Sequence, residues 1–234
     1  MSDFTYVGSE LELFEKAENW KAYWRDLLLP HVRGAILEVG AGIGANTGWF
    51  AQSGYARWVC LEPDEALCER LRANVRGLRG VEVVSGMLAN LDAGQSFDAI
   101  LYLDVLEHIA DDRAELRSAA ARLKQGGSLI VLAPAHPWLF SPFDRAIGHF
   151  RRYTRGSLRA VAPPELALVS LRYLDAAGML ASLGNRLLLK QAAPSEAQIL
   201  LWDRRLVPVS RLVDGVLGHR VGKSILGVWR RPEA

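Results

Sequence analysis

The spacing of apolar positions changes along the chain, and the changes mark its elements. Between residues 35 and 134, five short runs rich in branched side chains alternate with stretches at helical spacing: AILEV (35–39), ARWVCLE (56–62), VEVV (81–84), FDAILYLD (97–104) and GSLIVLAP (127–134). Short continuous apolar runs separated by helices read as buried strands of a mostly parallel sheet. DEALCERLRANVRG (64–77) repeats Ala66, Leu67, Leu71 and Val75 along one helical face. RAELRSAAARLKQGG (113–127) behaves likewise, and Gly126 with Gly127 predicts its stop.

The flanks read differently. SELELFEKAENWKAYWRDLLLPH (9–31) predicts one helix up to Pro30, carrying Trp20, Tyr23 and Trp24 against or over the sheet. ELALVSLRYLDAAG (165–178) and SILGVWRR (224–231) are strand-like, which brings the count to seven. Residues 179–219 between them are helical, with Pro194 and Pro208 as interruptions. There Trp202, Leu206, Val209, Val213 and Val216 form a stripe with Arg204, Arg205 and Arg211 interleaved. A packed cover or dimer face is its first reading, and a membrane-surface helix the second. AHPWLFSPFDRAIGHFRRYTRGSL (135–158) is irregular, and a connection this long in a compact domain usually carries function.

One domain over residues 1–234 is therefore expected. It comprises an N-terminal helix or lid (1–34), a core (35–134), a substrate-side lid with a helical insertion (135–222) and a final strand (223–234). Half the residues are hydrophobic and 23% are charged, as in ordinary globular proteins. A net charge of +2 is too mild to demand a nucleic-acid or membrane partner. The longest apolar runs, such as LIVLAP (129–134), fall far short of a membrane span. Cys60 and Cys68 have neither metal nor disulfide spacing, so a reducing, cytoplasmic location is expected.

The chemistry begins at ILEVGAGIGANT (36–47), a glycine-rich turn from strand to helix. Such turns let a ligand approach the backbone and the free N–H groups of a helix start. Gly40, Gly42 and Ala45 satisfy G-x-G-x-x-G/A and Glu62 follows at a ribose-binding distance, so a dinucleotide site fits as far as the glycines go. Glu38 separates the alternatives, because an anion two residues before Gly40 would repel a pyrophosphate and welcome a cation.

The set Glu38, Gly40, Gly42, Gly44 resembles the first motif of class I S-adenosylmethionine-dependent methyltransferases. LEPD (61–64) resembles their second motif, SGMLANL (85–91) stands at their third and FDAILYLDVLEHI (97–109) at their fourth, in the subgroup ending in L-E-H. The resemblance implies a Rossmann-like, seven-stranded, mostly parallel α/β sheet with helices on both faces and the last strand antiparallel. It implies S-adenosylmethionine as cofactor, with Glu38, Gly40, Ala41, Gly42 and Gly44 around the methionine part and Thr47 near its carboxylate. Glu62 would take the ribose; Pro63, Asp64, Met87 and Leu88 would border the adenine, with Met87 where many members have Asp. Asp104 and Val105 would floor the methyl site, and Tyr23 and Trp20 would close it.

Methyl transfer from a sulfonium chiefly needs positioning, and a base only where the acceptor holds its proton. His108, His136 and Asp104 are the candidate catalytic groups, and His149, Arg151, Arg152 and Tyr153 the candidate acceptor contacts. Arginines 151, 152 and 155 read equally well as a solvated helix entry capped by Thr154 or Ser157. Asp104, Glu107 and His108 resemble the E-x-x-E-H set that holds a divalent ion in ubiquinone-pathway O-methyltransferases, but L-E-H also occurs in relatives without metal. A small-molecule acceptor, more readily oxygen than nitrogen, is expected. Base-amine methylation of nucleic acid is not, because LDVL (103–106) stands where those enzymes carry N/D-P-P-Y/F. A nicotinamide or flavin oxidoreductase and a non-catalytic cofactor binder are the alternatives, and a homodimer is an open possibility.

Overall fold

The structure is a computed structural model that describes residues 10–50, 54–184 and 194–233. Seven strands form one sheet: β1 (Gly34–Val39), β2 (Tyr55–Glu62), β3 (Val81–Ser85), β4 (Phe97–Leu103), β5 (Leu123–Pro134), β6 (Ala167–Leu174) and β7 (Ser224–Arg230). Their order is β3-β2-β1-β4-β5-β7-β6, and only β7 runs antiparallel to its neighbours. The order reverses direction between β1 and β4, where an open α/β sheet leaves a crevice at its carboxyl edge.

Alternation along the strands builds two cores. Ile36, Trp58, Leu101, Ile130 and Leu226 face one layer, formed by α2 (Glu18–Leu28), α3 (Glu65–Val75) and residues Ile199, Trp202 and Val207. Leu37, Val59, Ile100, Val131 and Ile225 face the other, formed by α4 (Asp112–Ala121) and α6 (Arg155–Val161). Thr154 caps α6 in a capping box with Ser157.

Three boundaries differ from the sequence pattern. The N-terminal helix breaks after α1 (Glu10–Glu15), and α1 lays Leu11 over the glycine turn. Helix α4 stops at Ala121, not at the glycines: Lys124–Gly127 belongs to β5, whose register shifts opposite Phe97–Ala99 while Gly126 takes φ +71. Near the C-terminus, α7 (Ala176–Gly184) follows β6, and α8 (Glu196–Leu201) runs without a break through a π turn at Trp202–Leu206 into α9 (Val207–Val216). Pro208 thus does not end the helix. It lacks the N–H that an α-helical bond to Arg204 would need, and the wider π turn absorbs the loss. The expected helical stretch at 185–193 lies outside the described residues.

Candidate active site

Gly40, Gly42 and Gly44 hold φ of +66, +57 and +79, which strains any other residue. Two of them also lack room for a side chain. A Cβ on Gly40 would lie 2.7 Å from Val105 Cγ1, and one on Gly44 2.6 Å from Leu71 Cδ1. The turn is fixed to β2, because Gly40 and Ala41 N–H both donate to Leu61 O (2.7 and 3.1 Å).

Glu62 ends β2 directly beside the turn. Its Oε2 accepts from Gly42 N–H (2.8 Å) and its Oε1 from Asp64 N–H (3.0 Å). Burial raises its pKa, against the pull of those two backbone bonds. Each carboxylate oxygen keeps a second lone pair, so two vicinal hydroxyls have an acceptor each. Asp64 is used as the N-cap of α3, accepting from Ala66 and Leu67 N–H, so its carboxylate is not a free acceptor. Met87 stands 47% exposed at the end of β3 with a thioether free to pack on a ring, whereas the Leu88 side chain points into the core.

Glu38 lies beneath the turn. It is buried and accepts from Thr47 Oγ1 (2.7 Å) and Trp58 Nε1 (2.9 Å). The Thr47 hydroxyl is thus spent on Glu38 and not offered to a ligand carboxylate, which corrects its expected role. Burial pushes the Glu38 carboxyl up to about 7, against the donors Thr47, Trp58 and Cys60. Since the fold binds this proton more tightly than the unfolded chain does, its contribution is complete below about pH 4.5 and is lost as pH rises through 7. Glu38→Gln is therefore expected to melt roughly 5 °C higher than the parent at pH 8 and to match it at pH 5. Thermal melts at the two pH values check this.

Asp104 follows β4 with φ +56, its N–H bonded to Leu132 O (2.9 Å). Its residue is exposed to solvent, while the protein packed around it disfavours the charged form. Those surroundings push its carboxyl up to about 6, opposed by His149, Lys223 and Arg152. Val105, next in the chain, packs on Gly40 and joins Asp104 to the turn.

A histidine cluster adjoins Asp104. The His108 and His149 rings meet edge to face at 4.5 Å, and His149 Nε2 lies 3.8 Å from Glu107 Oε1. Burial, with His149 alongside, lowers the His108 pKa to about 4, which makes it a weak base. His149 Nδ1 is anchored on Asp144 Oδ1 at 3.0 Å. Glu107 is fully buried, and neither of its carboxylate oxygens has a hydrogen-bond partner. Among the described residues, ligand atoms of Glu107, His108 and His149 converge within 4.8 Å of one another. The expected metal set changes accordingly, with His149 brought in and Asp104 outside the group.

Other expected contacts are engaged within the protein. Arg152 grips Asp144 through Nε and Nη2 (2.8 and 2.9 Å), and Arg151 holds Asp112 and the carbonyls of Ile109 and Ala110. The Tyr153 hydroxyl donates to Asp112 Oδ2 (2.7 Å). Arg151 and Tyr153 bind the segment after β5 to the L-E-H turn and the start of α4, and Arg152 ties that segment to itself, so all three are engaged within the protein. Tyr23 is likewise corrected: its buried hydroxyl needs a partner and donates to Asp214 Oδ2 (2.9 Å) between α2 and α9, while the Trp20 backbone N–H donates to Asp203. His136, φ +64, stacks on Tyr173 at 4.6 Å, with Nε2 buried and without a partner, and burial lowers its pKa.

Asp144, Asp175 and Lys223 were not apparent from the sequence. Asp144 had a signal, the capping box Ser141-x-x-Asp144 ahead of α5 (Pro142–Ala146). Asp175 and Lys223, 3.4 Å apart, had none, because residues far apart in sequence create their surroundings. A recess of about 520 Å³ bordered by Glu15, Arg25 and Trp49 touches only the far part of the turn, at Gly44 and Ala45. It contains none of Glu38, Glu62 and Asp104, so the crevice between β1 and β4 is the candidate site.

A mostly parallel seven-stranded sheet with an antiparallel β7, and a glycine turn beside Glu62 at the switch point, define the class I methyltransferase architecture. Residues 36–127 match the family model described as methyltransferase domain. A demethylmenaquinone methyltransferase of Tropheryma whipplei is 34% identical over 115 residues, 47% of this chain and 46% of the relative. A ubiquinone biosynthesis O-methyltransferase of Paramagnetospirillum magneticum is 33% identical over 102 residues, 43% and 41% of the two chains. The chain thus aligns with somewhat less than half the length of these curated relatives. The N-methyltransferase NodS of Bradyrhizobium japonicum, solved with S-adenosyl-L-homocysteine, shares the fold with a TM-score of 0.63 at 14% identity, over 97% of this chain and 94% of NodS. Among the described residues, no helix is long and apolar enough to cross a membrane.

Proposed function

We propose that this protein transfers the methyl group of S-adenosylmethionine to an oxygen, or in second place a nitrogen, of a small-molecule acceptor held above Asp104. The observation that carries this reading is the ring of carboxylates at the turn, with Glu38 below, Glu62 beside and Asp104 across it. Such a ring repels a pyrophosphate and attracts a sulfonium. The relatives named for demethylmenaquinone and for ubiquinone biosynthesis support a small-molecule acceptor. The proton of a hydroxyl acceptor would pass to His149, which Asp144 orients, in preference to the weakly basic His108. Both cysteines are free thiols, in keeping with a reducing compartment. Isothermal titration with S-adenosyl-L-homocysteine is expected to give binding in the micromolar range. Preference for NADH or a flavin, or no heat up to millimolar ligand, would refute the reading.

A second reading, that a divalent cation assists, is favoured by the orphaned Glu107 carboxylate. Glu107, His108 and His149 would hold the ion, with Asp144 fixing the His149 ring from behind. Such an ion supplies Lewis acidity that lowers the pKa of an acceptor hydroxyl. Turnover that survives a strong chelator unchanged would eliminate the ion.

A further inference from the structure

We propose that the outer face of the helix formed by α8, the π turn and α9 docks on a membrane surface rich in anionic lipid headgroups. The π turn is the origin of that face. In an unbroken α-helix, the stripe Trp202, Leu206, Val209, Val213, Val216 would point inward together. One extra residue per turn advances the helix phase by about 100°. The inward set beyond Trp202 is accordingly Asp203, Val207, Ser210 and Asp214, all buried.

These polar groups are satisfied. Asp203 accepts from Asn19 and Trp20, Ser210 donates to Asp175, and Asp214 accepts from Tyr23 and from the backbone of Asp175 and Ala176. The aliphatic stripe is turned to solvent as the counterpart. Val209 is 48% exposed, Leu212 75%, Val213 37% and Val216 88%, at the i, i+3, i+4, i+7 spacing of one helical face. Leu201 and Leu217 extend this face at its two ends.

Charge selects the occupant. Every exposed charged side chain between Leu201 and Arg220 is an arginine, and both acids in that span are buried. Arg211 is neutralised by Asp26, whereas Arg204, Arg205 and Arg220 have no ion pair among the described residues. A second copy bound by the same face would bring these arginines towards their own kind. Aliphatic side chains flanked by unpaired arginines suit the boundary between acyl chains and anionic headgroups. The inference stands apart from the transferase reading, since none of these residues lines the cleft.

The test is sedimentation of the full chain with vesicles of phosphatidylcholine alone or of an equal mixture with phosphatidylglycerol. Mixed vesicles are expected to bind at least about tenfold more tightly, and high salt to remove most of the difference. Arg204→Ala/Arg205→Ala should weaken this binding several-fold and Leu212→Glu/Val216→Glu should abolish it, both with homocysteine-ligand binding intact. No sedimentation with mixed vesicles, equal binding to both vesicles, or unaltered binding by the arginine variant would overturn the proposal. So would light scattering that finds a dimer which Leu212→Glu/Val216→Glu dissociates, because the face would then belong to a second copy.

Discussion

Glu62→Ala is expected to weaken S-adenosyl-L-homocysteine binding by about 100-fold or more. Two hydrogen bonds from vicinal hydroxyls to a carboxylate contribute about 1.5–3 kcal/mol each, and about 3 kcal/mol suffices for that factor. The same substitution frees Gly42 N–H from its 2.8 Å bond, so the turn loses its anchor as well as its acceptor. Glu62→Gln separates these effects. Its amide oxygen can still accept from Gly42, but it presents one acceptor where two hydroxyls need two, and an intermediate loss of about tenfold is expected. Titration calorimetry of the three proteins, with melting curves to confirm folding, decides the matter. A loss below threefold for Glu62→Ala would mean that this carboxylate only ties the turn.

The sheet was legible because buried strands leave an unambiguous record: the five runs from 35 to 134 recur as β1 to β5 within a few residues. The site was legible only where backbone geometry dictates residue type, as at Gly40 and Gly44, or where a strand end fixes an acid, as at Glu62 and Asp104. Long polar side chains were not. Sequence suggests that Arg151, Arg152 and Tyr153 are available to a ligand, but their reach lets them satisfy Asp112, Asp144 and the carbonyls of the L-E-H turn. The stripe at 202–216 packs as a cover only at Trp202 and Leu206, while Val209, Val213 and Val216 turn to solvent for another reason. Counting in steps of three and four assumes an α-helix, and a single π turn rotates everything after it. Such a turn accommodates Pro208 and lets Asp203 and Asp214 reach partners at Asn19 and Asp175, which lie far off in the sequence.

The second large effect is expected at Asp144. This buried carboxylate accepts from Ser141 N–H and Oγ–H, from two nitrogens of Arg152 and from His149 Nδ1. Burial alone would raise its pKa, but the bonds from His149 and Arg152 hold it well below the usual carboxylate range. A depressed acid stabilises the fold above its unfolded pKa, near 3.9, and that contribution disappears as pH falls below this value. Asp144→Ala leaves the Arg152 charge without its partner in a mostly buried position, a loss of about 3–5 kcal/mol, or roughly 10 °C in Tm at neutral pH. Asp144→Ala/Arg152→Ala should recover part of that loss, because no charge is then stranded. Turnover offers a separate readout. With His149 no longer oriented, kcat should fall about 10- to 100-fold, while S-adenosyl-L-homocysteine binds Asp144→Asn as it binds the parent, since Asp144 lies outside the glycine turn. If Asp144→Asn keeps full kcat, His149 neither takes the acceptor's proton nor needs Asp144 to be held in place, and the Arg152–Asp144 pair then only fastens the segment after β5.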